Sequence, residues 1–403
     1  MALTDIKQIT GIAPLKYIEV DTTLQINSTT GNDSTGDGVT IPFATIQGCI
    51  DFLSKCIISN TSTVTVTINN GIINLSPETR FTHPNGNRIK LNLMNESSPI
   101  TINGASYASP TITFSTSSNH GLTTGDYVKI VNVIPTNYNQ FGVVVSTPSL
   151  TQFTVNVSAG LTMPAYIGGG QVTKQDTVFQ FNNTNGFIVD GSIGELNIAV
   201  SQTGTLSGEA KYGILVGGLK EVVSNTNYFN GKSSVNKGKL YSIGFDIGIR
   251  FINSFGSSLT LISSKNNLSN LGLVDSYIRQ SYIIINLPNS VWDGGDLVYS
   301  KISNSTVYGS NCRYGIIMSS SNFESNDFVF NNNTNRGVLL YRSTFAGNTI
   351  AESFNGNGSD FDLYQFSIAY LNGLTAINHT SNVGFQTFFT FASDMRIGCN
   401  IQS

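Results

Sequence analysis

Residues 314–328, YGIIMSSSNFESNDF, can be laid over residues 336–350, RGVLLYRSTFAGNTI, and this match limits the fold more than any other feature of the chain. Gly315 meets Gly337, Ile316 meets Val338, Met318 meets Leu340, Ser321 meets Ser343, Phe323 meets Phe345 and Asn326 meets Asn348, each pair 22 residues apart. Looser echoes of the Gly-Ile strand start occur at Gly213 and Gly248, so the spacing is not uniform. A unit this short cannot bury its apolar face alone and must stack on its neighbours. Short strands and Asn-rich corners at this period predict an all-β fold, a right-handed parallel β-helix of about 22 residues per coil with coils ~4.8 Å apart. Asn tolerates the left-handed backbone that sharp corners need, and stacked Asn side chains can form hydrogen-bonded ladders.

Similar segments recur along the chain. TVTVTI (63–68), IKLNLM (89–94), TVFQF (177–181), LNIAV (196–200), IGIRF (247–251) and YIIINL (282–287) are short, β-branched or aromatic, and bounded by Asn, Ser and Gly clusters. Residues 43–56 (FATIQGCIDFLSKC) are the exception, because Phe43, Ile46, Ile50 and Leu53 fall on one helical face behind Pro42; a capping helix is expected there. Residues 109–173 alternate strictly over longer strands and carry an HGLTTGD turn at 120–126, which predicts a small antiparallel β domain inserted into the rod. The glycines of that turn suit positive φ, and His120 is expected to be structural.

The expected organisation is a segment 1–17, the start of the β-helix over 18–108, the insert over 109–173, a rod over 174–375 of roughly nine coils, and a C-terminal cap over 376–403. Phe385, Phe388, Phe389 and Phe391 would form an exposed apolar patch on a lone chain, so a contact between copies is expected there.

Only 11% of the residues are charged and the formal net charge is −3, with no basic stripe, which argues against a nucleic-acid partner. The first twenty residues have neither a charged n-region nor a continuous apolar run, and no later stretch is apolar enough for a membrane helix; neither export by a leader nor membrane insertion is expected. Cys49, Cys56, Cys312 and Cys399 are too few and too scattered for a disulfide framework and are expected to be reduced and mostly buried. His83, His120 and His379 show no metal-ligand spacing, and no Walker A loop, nucleophile elbow or dinucleotide fingerprint is present, so neither metal nor cofactor is expected.

With so few charges, clustered carboxylates stand out. Asp293 and Asp296 flank the glycines of VWDGGDLVY beside Trp292, the single tryptophan; Glu324 and Asp327 lie in NFESNDF; Glu352, Asp360 and Asp362 follow. Glycoside hydrolysis needs two carboxylates about 5–10 Å apart across a sugar groove, and the first two pairs, within one or two coils of each other, could share one. Trp292 offers a face on which a sugar ring can stack, or else it packs in the core or between chains. Arg250, Arg313, Arg336 and Arg342 could hold an acidic glycan, or be simply solvated. The aspartates could equally cap turns.

Gly31, Asn32, Asp33, Gly36, Asp37, Gly38, Pro42, Phe43, Thr45, Ile46, Gln47 and Ile50 together resemble the pattern that precedes the first coil in phage tailspikes and related pectate-lyase-like proteins, with Cys49 where those usually carry Ala. The 120–126 turn is similar to modules common in phage tail proteins. The resemblance implies a homotrimeric virion fibre or spike, assembled in the host cytoplasm. It would dock on other tail or capsid proteins through its N-terminus and attach to a bacterial surface polysaccharide. Three functions remain open: a non-enzymatic adhesin, a depolymerase acting as glycoside hydrolase or lyase, and a structural or decorating virion protein. The motif describes how a fold starts and carries no chemistry.

Overall fold

A computed structural model of the chain describes residues 16–403 apart from 70, 76–77, 162, 218–219, 224–225, 230–232, 287–292, 331–332, 334–335, 351–358, 365–367, 373–384, 389–395 and 399–403. The body is a parallel β-helix with three walls. The first wall stacks ten strands, from Thr79–Phe81 through Ile247–Ile252, Ser269–Val274, Asp293–Val298, Tyr314–Ser319 and Arg336–Tyr341 to Phe385–Phe388, a height of about 43 Å at ~4.8 Å per step. Ser254–Ser257, Tyr277–Arg279, Lys301–Ser303 and Asn322–Glu324 belong to the second wall, and Gly238–Ile243, Leu259–Ser264, Tyr282–Ile284, Thr306–Tyr308 and Asp327–Val329 to the third.

The sequence repeat is the register of neighbouring coils: Ile316 lies opposite Val338, Met318 opposite Leu340 and Phe323 opposite Phe345. Elsewhere the step varies, since Ile249 faces Leu271, Leu271 faces Gly295 and Gly295 faces Ile316. Inward residues of all three walls, among them Ile249, Leu271, Ile302, Phe323 and Val338, merge into one continuous core. Parallel pairing runs past residue 375, with Phe385–Phe388 on Phe361–Tyr364 and Arg396–Gly398 on Tyr370–Asn372. Phe389 and Phe391 lie outside the described residues, as does all of segment 1–17 except Lys16 and Tyr17, which pair with Cys56 and Ile57.

Serine shares the corners with the expected asparagine. Between the first and second walls, Asn253, Asp275, Tyr299, Ser320 and Arg342 take φ of 47°, 49°, 50°, 50° and 48°, and each is followed by a serine. Those serines stack: Ser254 N donates to Ser276 Oγ at 3.1 Å, Ser276 N to Ser300 Oγ at 3.1 Å, Ser300 N to Ser321 Oγ at 2.9 Å and Ser321 N to Ser343 Oγ at 3.1 Å. Each hydroxyl from Ser254 to Ser321 in turn donates to the carbonyl two residues before it. The second corner repeats the device five residues later, through Ser281, Ser305 and Asn326, behind left-handed Gln280, Asn304 and Ser325. Serine fits because its short hydroxyl can accept from the coil above while donating to its own coil, which leaves the buried bend fully paired. Asparagine takes the acceptor role at the third corner, where Asn266, Asn286 and Asn333 receive Phe245 N, Ser310 N and Cys312 N.

The capping helix is shorter than expected, Ile46–Leu53. Thr45 is its N-cap, with extended backbone and an Oγ1 that accepts from Gly48 N at 3.0 Å, so Phe43 stays outside it and instead bridges to Ile26. Asp33 fixes the N-cap from the loop, accepting from Ala44 N at 2.8 Å, Thr45 N at 3.0 Å and Thr45 Oγ1 at 2.7 Å. A Cβ on residue 48 would fall 2.1 Å from Asp33 Oδ1, which explains glycine there. Asn27, Asn32 and Asp37 each fold a turn by accepting N–H groups two and three residues on. The buried helix face, Ile46, Cys49, Ile50 and Leu53, joins the core of the rod. Of the cysteines, Cys49, Cys56 and Cys312 are buried thiols, and Cys399 lies outside the described residues.

The insert is a closed six-stranded barrel whose strands run from Ile100–Ala108 to Gly168–Gln175, a wider span than 109–173. Its alternating strands, TITFST for example, send Ile112, Phe114, Val128, Phe153 and Val155 into a core of their own. His120 is structural, its Nδ1 accepting from Leu122 N and its Nε2 facing the carbonyls of Ser149 and Gln152. The barrel sits on the outer face of the third wall, where Tyr127 and Phe141 cover Val178, Ala199, Tyr241, Ile262 and Ile284.

Candidate saccharide-binding groove

The carboxylates singled out in the sequence stand on different walls. Asp296 is on the first, opposite Gly272 and Ile317; Glu324 is on the second, opposite Ser303; Asp327 is on the third, opposite Thr306. Asp293 opens the same strand as Asp296, Asp360 and Asp362 belong to Ser359–Tyr364, and Trp292 and Glu352 lie outside the described residues. Glu324 is engaged by Lys301, with Nζ 2.7 Å from Oε2. Asp296 is exposed beside Gly272, along which the side chain of Arg250 lies. Arg250 stands over the Tyr212 ring at 5.3 Å and Arg313 over Tyr314 at 4.7 Å; the backbone of Arg336 pairs in register with Tyr314, and Arg342 occupies a left-handed corner.

The structure does assemble a groove of about 620 Å³, along the first corner and the second wall. Its floor is one outward residue per coil, in register: Ser234, Phe255, Tyr277, Lys301 and Asn322. Four steps make this line about 19 Å long, parallel to the axis of the rod. Phe255 and Tyr277 meet edge to face with ring centroids 5.6 Å apart, and Lys301 Nζ lies 5.8 Å from the centre of the Tyr277 ring. The Tyr277 hydroxyl is 2.7 Å from Ser303 Oγ, which fixes the ring. One rim is the line of left-handed corner residues Asn253, Asp275, Tyr299 and Ser320.

Tyr299 is the unusual member of that rim. A tyrosine at φ 50° sits where glycine or asparagine would cost less, by ~1 kcal/mol, yet the residue is 65% exposed and belongs to no core cluster. The corner imposes this backbone in each coil, and what sets Tyr299 apart from the other corner residues is an aromatic side chain left exposed on the rim. Exposed rings beside hydroxyl, amide and carboxylate groups suit a sugar, whose C–H face stacks and whose hydroxyls hydrogen-bond.

The sequence reading placed the sugar platform on Trp292 and missed Phe255, Tyr277 and Tyr299. A signal for them exists in Ser254, Ser276, Ser300, Ser321 and Ser343, since each fixes the residue before it as the rim and the residue after it as the floor. A second groove of about 680 Å³ on the third wall contains Asn92, Glu96, Asn197, Lys237 and Lys239 but no aromatic ring, and its Glu96 is already bridged to lysines on both sides. Among the described residues no three His, Cys, Asp or Glu side chains come together as a metal site.

No protein-family model matches the chain, and no curated protein matches it in sequence. Among solved structures, the selenomethionine form of the GH136 lacto-N-biosidase from Eubacterium ramulus is similar over 94% of this chain and 68% of its own, at 10% identity and a TM-score of 0.35. The Gp54 tailspike of Acinetobacter baumannii bacteriophage AP22, solved with A. baumannii capsular saccharide, is similar over 84% and 74%, at 9% identity and a TM-score of 0.27. The receptor-binding domain of the siphovirus 9NA tailspike is similar over 96% and 73%, at 8% identity and a TM-score of 0.21. None of these likenesses is high enough to carry a function from one protein to the other.

Proposed function

We propose that the chain is the saccharide-binding rod of a phage tail fibre or tailspike, which holds a bacterial surface polysaccharide along the groove of its second wall. The observation that carries this is Tyr299, an aromatic residue left exposed on the rim beside Phe255 and Tyr277. The phage setting rests on the motif at residues 31–50 and its resemblance to tailspikes. Holding is favoured over cutting because Asp296, Glu324 and Asp327 stand on three walls and Glu324 is neutralised by Lys301. The working particle is proposed to be a homotrimer docked on the virion through the residues before Lys16.

Binding of the purified protein to a panel of bacterial capsular and O-antigen polysaccharides tests the proposal, with new reducing ends assayed in the same mixtures. The expected result is retention of at least one polysaccharide without shortening, weakened about tenfold by Tyr277→Ala, equivalent to ~1.4 kcal/mol. Chain shortening would replace the adhesin by a depolymerase. No binding to any polysaccharide, or full binding by Tyr277→Ala, would sink the groove itself.

A further inference from the structure

Resting on the proposed groove, we infer that its ligand is an acidic saccharide and that Arg279 is the residue that selects it. Arg279 projects from the outward ladder beside the floor, between Ser257 above and Ser303 below. It is exposed, and its guanidinium carbon lies 5.2 Å from the centre of the Phe255 ring, a floor residue of the groove. No described residue forms an ion pair or hydrogen bond with the guanidinium, whereas Lys301, the neighbouring cation, is neutralised by Glu324 at 2.7 Å.

A guanidinium 5.2 Å from the centre of an aromatic ring is drawn to it by cation–π attraction, which narrows the rotamer freedom it has to lose on binding. Five donors in that fork match the two oxygens of a carboxylate, and charge-assisted bidentate pairs are the strong ones. At the other end of the same coil's strand, on the rim of the groove, Asp275 is an exposed acceptor at φ 49°. It takes sugar hydroxyls and repels a carboxylate, so Asp275 on the rim and Arg279 beyond the floor together fix which edge of the ring faces which side. A uronic-type residue stacked on Phe255 and Tyr277, with its carboxylate on Arg279, uses both. A neutral sugar leaves the free cation unused.

The test compares each polysaccharide that the protein binds with its carboxyl-reduced derivative, on the wild type and on Arg279→Gln and Arg279→Lys. The wild type is expected to bind acidic polysaccharides and to lose at least tenfold on carboxyl reduction. Arg279→Gln should lose as much on the native polysaccharide and almost nothing further on the reduced one. Arg279→Lys should recover only part, because an ammonium offers no planar fork. Added salt should weaken the wild type more than Arg279→Gln. Equal binding of native and reduced forms by the wild type, with Tyr277→Ala still weakening both, would overturn the acidic ligand and leave the groove standing. Loss of discrimination together with an inert Tyr277→Ala would remove both.

Discussion

At the scale of single residues, Tyr299 and Ser300 are chain neighbours held for opposite reasons. Ser300 Oγ accepts Ser276 N at 3.1 Å and donates to Val298 O at 2.7 Å, so its removal leaves a buried N–H without a partner. Tyr299 belongs to no core cluster and carries the strain of the bend. Ser300→Ala should therefore destabilise by ~1–3 kcal/mol with saccharide affinity unchanged below the transition. Tyr299→Asn should hold or raise stability by up to ~1 kcal/mol and weaken binding. Urea unfolding and a binding titration on the two variants measure both, and a stabilised Ser300→Ala or a Tyr299→Asn of undiminished affinity would contradict this division of roles. The position of the serine was marked in the repeat at 314–350, where Ser321 meets Ser343, but that of the rim residue was not. The two coils aligned there carry serine at the left-handed Ser320 and arginine at Arg342, so the rim shows no constant residue type. The coil step also changes between Phe255, Tyr277 and Lys301, so the floor is not a fixed period in the sequence.

At the scale of elements, legibility followed how local the causes are. The capping helix was readable because Asp33, Thr45 and Gly48 all lie within the one motif that specifies it. The seat of the barrel was not, because it depends on residues far apart in the chain. Glu96, in the segment that leads into the barrel, accepts from Lys129 on the barrel at 2.8 Å and from Lys239 on the rod, and also receives Tyr241 Oη at 3.2 Å and Gln175 Nε2 at 3.1 Å. Burial alone would raise its carboxyl, but the hydrogen bonds and charges of Lys129 and Lys239 outweigh this and hold it at about 2. The folded value lies below the ordinary 4.5, so this carboxylate adds stability above pH 4.5 that is lost as pH falls through about 2. Glu96→Gln is expected to cost ~1–3 kcal/mol at neutral pH, and the gap to wild type should close on acidification through that window. Urea midpoints measured across the same range check it; a gap independent of pH would mean that the ion pairs contribute nothing and packing alone seats the barrel.

At the scale of the whole molecule, the barrel interrupts a single strand. The strand Glu195–Gln202 pairs through Asn197 with Asn92 and through Val200 with Phe179, which leaves its Ile198 and Ala199 opposite Leu93 and Val178. Residues 94–177 therefore occupy no length opposite Glu195–Gln202, whereas on the coil below Thr67 pairs with Asn92 and Gly71 with Thr177, so joining Leu93 directly to Val178 keeps the register with Glu195–Gln202 and requires the coil below to shift. The groove draws on residues 192–322 of the rod and takes nothing from the barrel. The shortened rod should consequently fold, with the far-ultraviolet dichroism of parallel β-structure, and bind polysaccharide with the affinity of the full chain. Its cost is the face that Tyr127 and Phe141 had covered, where Val178, Ala199, Tyr241, Ile262 and Ile284 become exposed. A patch of that kind drives association, so the shortened rod should aggregate at concentrations where the full chain does not. Tyr241→Thr with Ile262→Thr should restore solubility, because threonine keeps the β-preference of the wall and removes most of the apolar area. If the soluble double variant of the shortened rod binds no polysaccharide while the full chain does, the barrel is part of the site, and the groove on the second wall is not sufficient for recognition.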